Sequence, residues 1–128
     1  MTPILETDTA LLPVLEALRP LEPLIYAANG GLPRAHFERL LAPGFWEVGA
    51  SGVAYSRAHV LDVLEARQRS PRDEAWSTSG HYLQAVGPAH WLLSYTLHQP
   101  TRVSKRATLW TQTEQGWQMV YHQGTVVL

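Results

Sequence analysis

Trp117-Gln118-Met119-Val120-Tyr121-His122-Gln123-Gly124-Thr125-Val126-Val127 is rich in aromatic and β-branched residues and reads as a strand. One histidine and two glutamines interrupt a largely apolar run. A terminal segment this apolar is expected to be tied into a sheet, because loose chain ends are seldom so hydrophobic. Working back from it, three more stretches read the same way: Trp76–Val86, Trp91–His98 and Val103–Thr113. Gly87-Pro88, Gln99-Pro100-Thr101-Arg102 and Glu114-Gln115-Gly116 separate them. These are short, turn-type connections, so the four strands are expected to pair in order as an antiparallel meander.

The alternation inside the strands assigns faces. Trp91, Leu93, Tyr95 and Leu97 share one side of their strand, with Ser94, Thr96 and His98 on the other. Ala107 and Leu109 oppose Thr108 and Trp110, and Trp117, Met119 and Tyr121 oppose Val120, His122 and Val126. Both faces of the later strands therefore carry bulky apolar groups. One face must meet helices, and a large apolar patch on the other is unusual on a monomer, so a homodimer through the outer sheet face is expected.

The first half of the chain is helical. Leu21, Leu24, Ile25 and Ala28 make an i, i+3, i+4, i+7 stripe, and Asn29-Gly30-Gly31 supplies a left-handed stop. A break or kink is expected near Pro20. A second helix opens at Pro33, buries Phe37, Leu40 and Leu41, and stops before Pro43-Gly44. A third follows Ser56 as N-cap and buries Val60, Leu61, Val63 and Leu64. Phe45–Gly49 between them reads as a short strand, with Ala50-Ser51-Gly52 as a turn. Helices first and strands afterwards is the α+β pattern, with helices packed on one face of a strongly curved antiparallel sheet that includes the Phe45 strand.

The chain has 128 residues, 45% of them hydrophobic and 16% charged, which suits a single domain over 1–128 with its own core. Ten basic residues against eleven acidic ones give a net charge of −1, which argues against nucleic acid as a partner. Arg67, Arg69 and Arg72 cluster where the third helix ends, and there they complement its dipole. Cysteine is absent, which removes disulfides, thiol nucleophiles and thiolate metal sites. No signal peptide is evident and no apolar run approaches the ~20 residues that span a bilayer, so a cytoplasmic protein without membrane contact is expected.

Phe45-Trp46-Glu47-Val48-Gly49-Ala50-Ser51-Gly52, then Tyr55-Ser56-Arg57 opening a helix, Arg106-Ala107-Thr108-Leu109-Trp110, Gly116-Trp117 and His122-Gln123-Gly124-Thr125 together resemble the nuclear transport factor 2-like superfamily. More narrowly they are similar to a bacterial subfamily of unknown function, over about residues 13–128. The resemblance implies a cone-shaped fold enclosing a pocket, commonly dimeric. It implies no activity, because the superfamily includes steroid isomerases, polyketide cyclases, dehydratases and association domains.

Glu47 is the first candidate for chemistry. Inside an apolar cone, desolvation would raise its pKa as a general acid or base requires, although it could equally pair with Arg106 as a structural ion pair. His122, mid-strand, is either an acid–base group or a buried histidine satisfied by a partner. Arg106 shares a face with Thr108 and Trp110 and could hold a ligand's carboxylate. Tyr26, Tyr95 and Trp110 could wall a pocket, or be plain core. The six histidines include no i, i+4 metal pair, and no phosphate-binding glycine loop exists, so neither metal nor cofactor is expected. Two functions follow: a non-catalytic, dimerising module that binds a small apolar ligand, and a small enzyme doing acid–base chemistry on such a molecule with Glu47 and His122.

Overall fold

A computed structural model describes residues 1–27, 31–70 and 74–128. The Asn29-Gly30 part of the expected helix stop, Ala28 of the first stripe and Arg72 of the basic cluster lie outside the described residues. A 3₁₀ turn (Thr9–Leu11) leads into α1 (Leu12–Leu18), and at Arg19 the helix tightens to a 3₁₀ helix over Arg19–Ile25. The change comes at Pro20, where the ring removes a backbone donor, and Pro23 keeps the tighter winding. The break expected near Pro20 is this change of winding, and the Leu21, Leu24 and Ile25 part of the stripe lies on a 3₁₀ helix and not on an α-helix.

α2 (Arg34–Leu40) starts after Pro33, buries Phe37 and Leu40, and passes straight into β1 (Leu41–Val48). Pro43 and Gly44 sit inside that strand, where the register shifts between Leu41 and Trp46, rather than between elements. A short β2 (Ala54–Ser56), absent from the expectation, pairs antiparallel with β1 before α3 (Arg57–Arg69). Ser56 caps α3 by accepting the His59 amide at 3.2 Å. Val60, Leu61 and Leu64 are buried, whereas Val63 is exposed.

β3 (Ser77–Gly87), β4 (His90–His98), β5 (Val103–Thr113) and β6 (Gly116–Val126) form the expected antiparallel meander. The sheet order is β2-β1-β6-β5-β4-β3, and β1 joins β6 in parallel. The six-stranded sheet is thus mixed, the Phe45 strand being its one parallel junction. One face packs on the helices through Leu83, Leu93, Leu97, Met119 and Trp110 against Leu15, Leu18, Phe37, Leu61 and Leu64.

β6 carries a bulge. Leu109 pairs Tyr121 while Trp110 pairs Met119, so Val120 is the extra residue. Tyr121 therefore lies on the outer face with Leu109, against Trp46 at 4.7 Å between ring centres. Met119 and His122 both face inward. The strict alternation expected for β6 fails at that one residue. Among the described residues no helix is long and apolar enough to cross a membrane.

Candidate functional site

The inner face of the meander presents hydrogen-bond donors at its centre: the Tyr95 hydroxyl on β4, and Thr108 and the Trp110 indole on β5. Continuing the buried α1 stripe from Leu15 and Leu18 by one more turn brings Glu22 over them. Glu22 is 1% exposed. Its Oε1 accepts from the Tyr95 hydroxyl and from Thr108 Oγ1, both at 2.8 Å, and its Oε2 accepts from Trp110 Nε1 at 2.7 Å. Three donors suit a carboxylate, yet burial outweighs them and lifts the Glu22 pKa to about 7; the Arg106 charge pulls the other way.

Thr108 has one hydroxyl hydrogen. With that hydrogen on Glu22, Thr108 must accept at its contact with His122 Nδ1, 2.7 Å away. His122 is then the Nδ1–H tautomer, and its bare Nε2 faces Arg106 Nη1 at 3.4 Å. Burial, with the Arg106 charge adding to it, pushes the His122 pKa down to about 3, so the ring is neutral. Arg106 Nε donates to Ser104 Oγ at 2.9 Å. A directional chain results, Arg106 to His122 to Thr108 to Glu22, each member donating to the next. Gly124 lies against the guanidinium: a Cβ there would stand 3.1 Å from Cζ and 3.2 Å from Nε.

Arg106 ends the chain in a cleft of about 530 Å³ between the sheet, the end of the 3₁₀ helix and α3. Arg67, Arg102 and Arg106 line it against Glu47 and Glu74, three positive groups to two negative. Arg67 reaches back from α3 to donate to the Ile25 carbonyl at 2.6 Å, rather than only complementing the end of its helix. Trp76 meets Tyr26 edge-on at 5.5 Å to form an apolar wall. The Tyr26 hydroxyl is shielded from water and has no hydrogen-bond partner of good geometry; desolvation holds its pKa up near 12.

The residues singled out in the sequence separate into two groups. Glu47, Tyr26 and Arg106 line the cleft. His122, Tyr95 and Trp110 are buried beneath it, in the hydrogen-bond network and not on the cavity wall. Glu47 pairs with His122 in the β1–β6 register and shares its inward face. Burial raises the Glu47 pKa against the opposing pull of Arg106, Arg67 and His59. No ion pair joins Glu47 to Arg106 among the described residues, so the two interact across the cleft, not in contact.

Glu22 was missed. Reading Pro20 as a break hid that Leu15, Leu18, Glu22 and Ile25 keep a helical 3-4-3 spacing through the proline. A second signal was available: the inner faces of β4 and β5 offer Tyr95, Arg106, Thr108 and Trp110, all donors, with no buried acid to receive them.

No family model matches the chain, and no curated protein is similar to it. Solved structures are. A protein with a cystatin-like fold from Caulobacter vibrioides aligns at TM-score 0.69 and 17% identity, over 91% of this chain and 89% of that one. The fold is nuclear transport factor 2-like. A protein of that type from Rhodospirillum rubrum, of unknown function in nutrient uptake, aligns at TM-score 0.66 and 17% identity, covering 92% of this chain and 98% of its own. The Chlamydomonas reinhardtii calmodulin-dependent kinase II hub homology domain aligns at 0.68 and 16%, covering 94% and 100%.

Proposed function

We propose that the protein is a non-catalytic binding domain whose cleft holds a small carboxylate on Arg106. The observation that carries this reading is the preparation of Arg106. Ser104 and His122 fix two of its nitrogens, Gly124 leaves room for the guanidinium to lie flat, and Nη2 makes no hydrogen bond among the described residues. A planar guanidinium with an unspent donor is suited to a carboxylate. Trp76 and Ile25 supply apolar surface for the rest of the molecule, while Arg67 and Arg102 add charge of the right sign. A wholly apolar ligand fits such charged walls poorly, which revises the expectation from sequence.

An acid–base enzyme is supported by one feature, the raised pKa of half-buried Glu47. It lacks a second group, because both His122 ring nitrogens are engaged beneath the cleft. Calorimetric titration with benzoate tests the binding reading. Benzoate should bind, and Arg106→Gln should weaken it at least about tenfold, the loss of one charge-assisted pair. Equal affinity in both proteins would overturn it.

The same reading includes a homodimer through the outer sheet face. Leu92, Leu109, Tyr121 and Trp46 lie in one cross-strand row there, and Trp46 is 48% exposed. Light scattering should give about twice the 14.3 kDa chain mass; a monomer at micromolar concentration would refute it.

A further inference from the structure

The chain from Arg106 to Glu22 has a direction, and its direction depends on one proton. With Glu22 ionised, every member donates towards the carboxylate: Arg106 Nη1 to His122 Nε2, His122 Nδ1 to Thr108, Thr108 to Glu22. A protonated Glu22 has a hydrogen of its own to place. Oε1 already faces two hydroxyls, and donation to Thr108 turns the Thr108 hydroxyl towards His122 Nδ1. The imidazole must then carry its hydrogen on Nε2, where it meets the Arg106 N–H donor head-on. The Arg106–His122 hydrogen bond is lost, and the guanidinium gains a free donor.

We propose that the cleft takes up its carboxylate together with one proton, which resides on Glu22, the chain reversing as it does so. The inference rests on the carboxylate reading of Arg106. Two effects act in the same direction. An anion on Arg106 cancels the cation that favours ionised Glu22, and a protonated Glu22 frees Arg106 from His122 to meet the anion. By reciprocity, the anion raises the proton affinity of Glu22 as much as the proton raises the affinity for the anion. Burial places Glu22 near pH 7, so the coupling operates around neutrality.

Charged and titratable groups approach Glu22 from the sheet and from its own helix. β4 contributes Tyr95, with the His81 ring of β3 stacked on it at 5.2 Å. β5 contributes Arg106, and β6 contributes His122. The 3₁₀ helix contributes Arg19, whose charge acts on His81; its C-cap is Tyr26, and β1 contributes Glu47 facing Arg106. α1, α2 and α3 present buried apolar side chains, Leu15 and Leu18, Phe37 and Leu40, and Val60, Leu61 and Leu64, and α3 adds Arg67 at the Ile25 carbonyl. Burial raises the Tyr95 pKa and lowers that of His81, so both are biased towards the neutral form while Glu22 titrates. Arg106 is thus the cation through which the cleft and Glu22 communicate. The Tyr95 hydroxyl that donates to Glu22 neighbours Tyr26, which lines the cleft.

Nitrogen NMR of the wild-type protein labelled at histidine tests this without any variant, because it distinguishes a protonated ring nitrogen from a bare one. His122 should change from the Nδ1–H to the Nε2–H tautomer as pH falls through about 7, and saturating benzoate should move that change to higher pH. Benzoate should also bind several-fold more tightly at about pH 6 than at about pH 8.5. One unchanged tautomer across that range overturns the proton linkage even if benzoate binds. A tautomer change that benzoate leaves in place, with benzoate bound, also overturns it. If benzoate does not bind at either pH, the carboxylate reading fails and this inference fails with it. Glu22→Gln, where it folds, should hold His122 in one tautomer and abolish the pH dependence of binding.

Discussion

Thr108→Val removes one oxygen atom from the centre of the molecule and changes little else. Valine keeps the β-branched shape and the strand preference of threonine, so no cavity opens and no local propensity is lost. The missing hydroxyl has two jobs: it donates to Glu22 at 2.8 Å and accepts from His122 at 2.7 Å. Its removal leaves the His122 Nδ1–H, on a side chain 1% exposed, without a partner, and takes one of three donors from Glu22. Each loss should cost about 1–3 kcal/mol, so about 2–6 kcal/mol in all when Glu22 is ionised. That is a large share of a typical domain's 5–15 kcal/mol.

The cost should itself depend on pH. A donor lost to a carboxylate is worth roughly twice a donor lost to a neutral acid, and Glu22 changes between the two near pH 7. Losing Thr108 raises the Glu22 pKa further, so the folded variant binds more protons than the folded wild type just above neutrality. The penalty therefore falls as pH falls. Urea unfolding followed by tryptophan fluorescence, at about pH 8 and about pH 5.5, measures it provided the denaturant slope is unchanged. Thr96→Val is the control, since it loses only an exposed contact with Lys105 and should cost under about 0.5 kcal/mol. A Thr108→Val penalty no larger than that of the control, or one that does not move with pH, would refute the network as described.

The wild-type stability profile should be nearly flat between about pH 4.5 and about pH 6.5, because two buried groups oppose one another there. Glu22 favours folding as pH falls from 7 to 4.5, its folded pKa being raised, while His122 disfavours it from 6.5 down to 3, its folded pKa being lowered; below about 4.5 only the His122 loss remains, and thermal unfolding across this range should show the fall there. Gly124→Ala should press a Cβ to 3.1 Å from Arg106 Cζ, and because Ser104 and His122 hold that guanidinium, benzoate binding should weaken more than the melting temperature drops. Trp46→Asp places a charge in the outer row beside Tyr121 and should convert a dimer to a monomer by light scattering, with circular dichroism unchanged.

The meander was legible because its signals are local: alternation within a strand and short turns between strands. The Trp91-to-Leu97 pattern and the Gly87-Pro88 break need no information from elsewhere in the chain. The parallel pairing of β1 with β6 carries no such signal. Phe45-Trp46-Glu47 reads as a strand, but its neighbour β6 lies far along the chain, and α3 takes the chain from β2 at one edge of the sheet to β3 at the other. Val120 shows how a single residue defeats a period of two. Met119 and His122 both face inward because the bulge between them adds one position, and nothing in an apolar Met-Val-Tyr run says which residue is the extra one.

The candidate site was half legible for the same reason. Arg106 and Glu47 declared themselves as charges in apolar strands, whereas Glu22, between Pro20 and Pro23, stands in a segment whose prolines blur the helical pattern. Its position becomes sensible only after the donors are counted. Tyr95, Thr108 and Trp110 face inward on adjacent strands, and burying three donors without an acceptor would cost several kcal/mol. A carboxylate satisfies all three, but alone it would be an uncompensated buried charge. Arg106 is the cation that compensates it, and it cannot sit beside Glu22 without leaving the cleft. His122 and Thr108 fill the gap between the two: two neutral groups, each able to donate on one side and accept on the other. The histidine is therefore explained by what it connects and not by its own acidity, in keeping with the buried, partnered reading of His122 and not with the acid–base one.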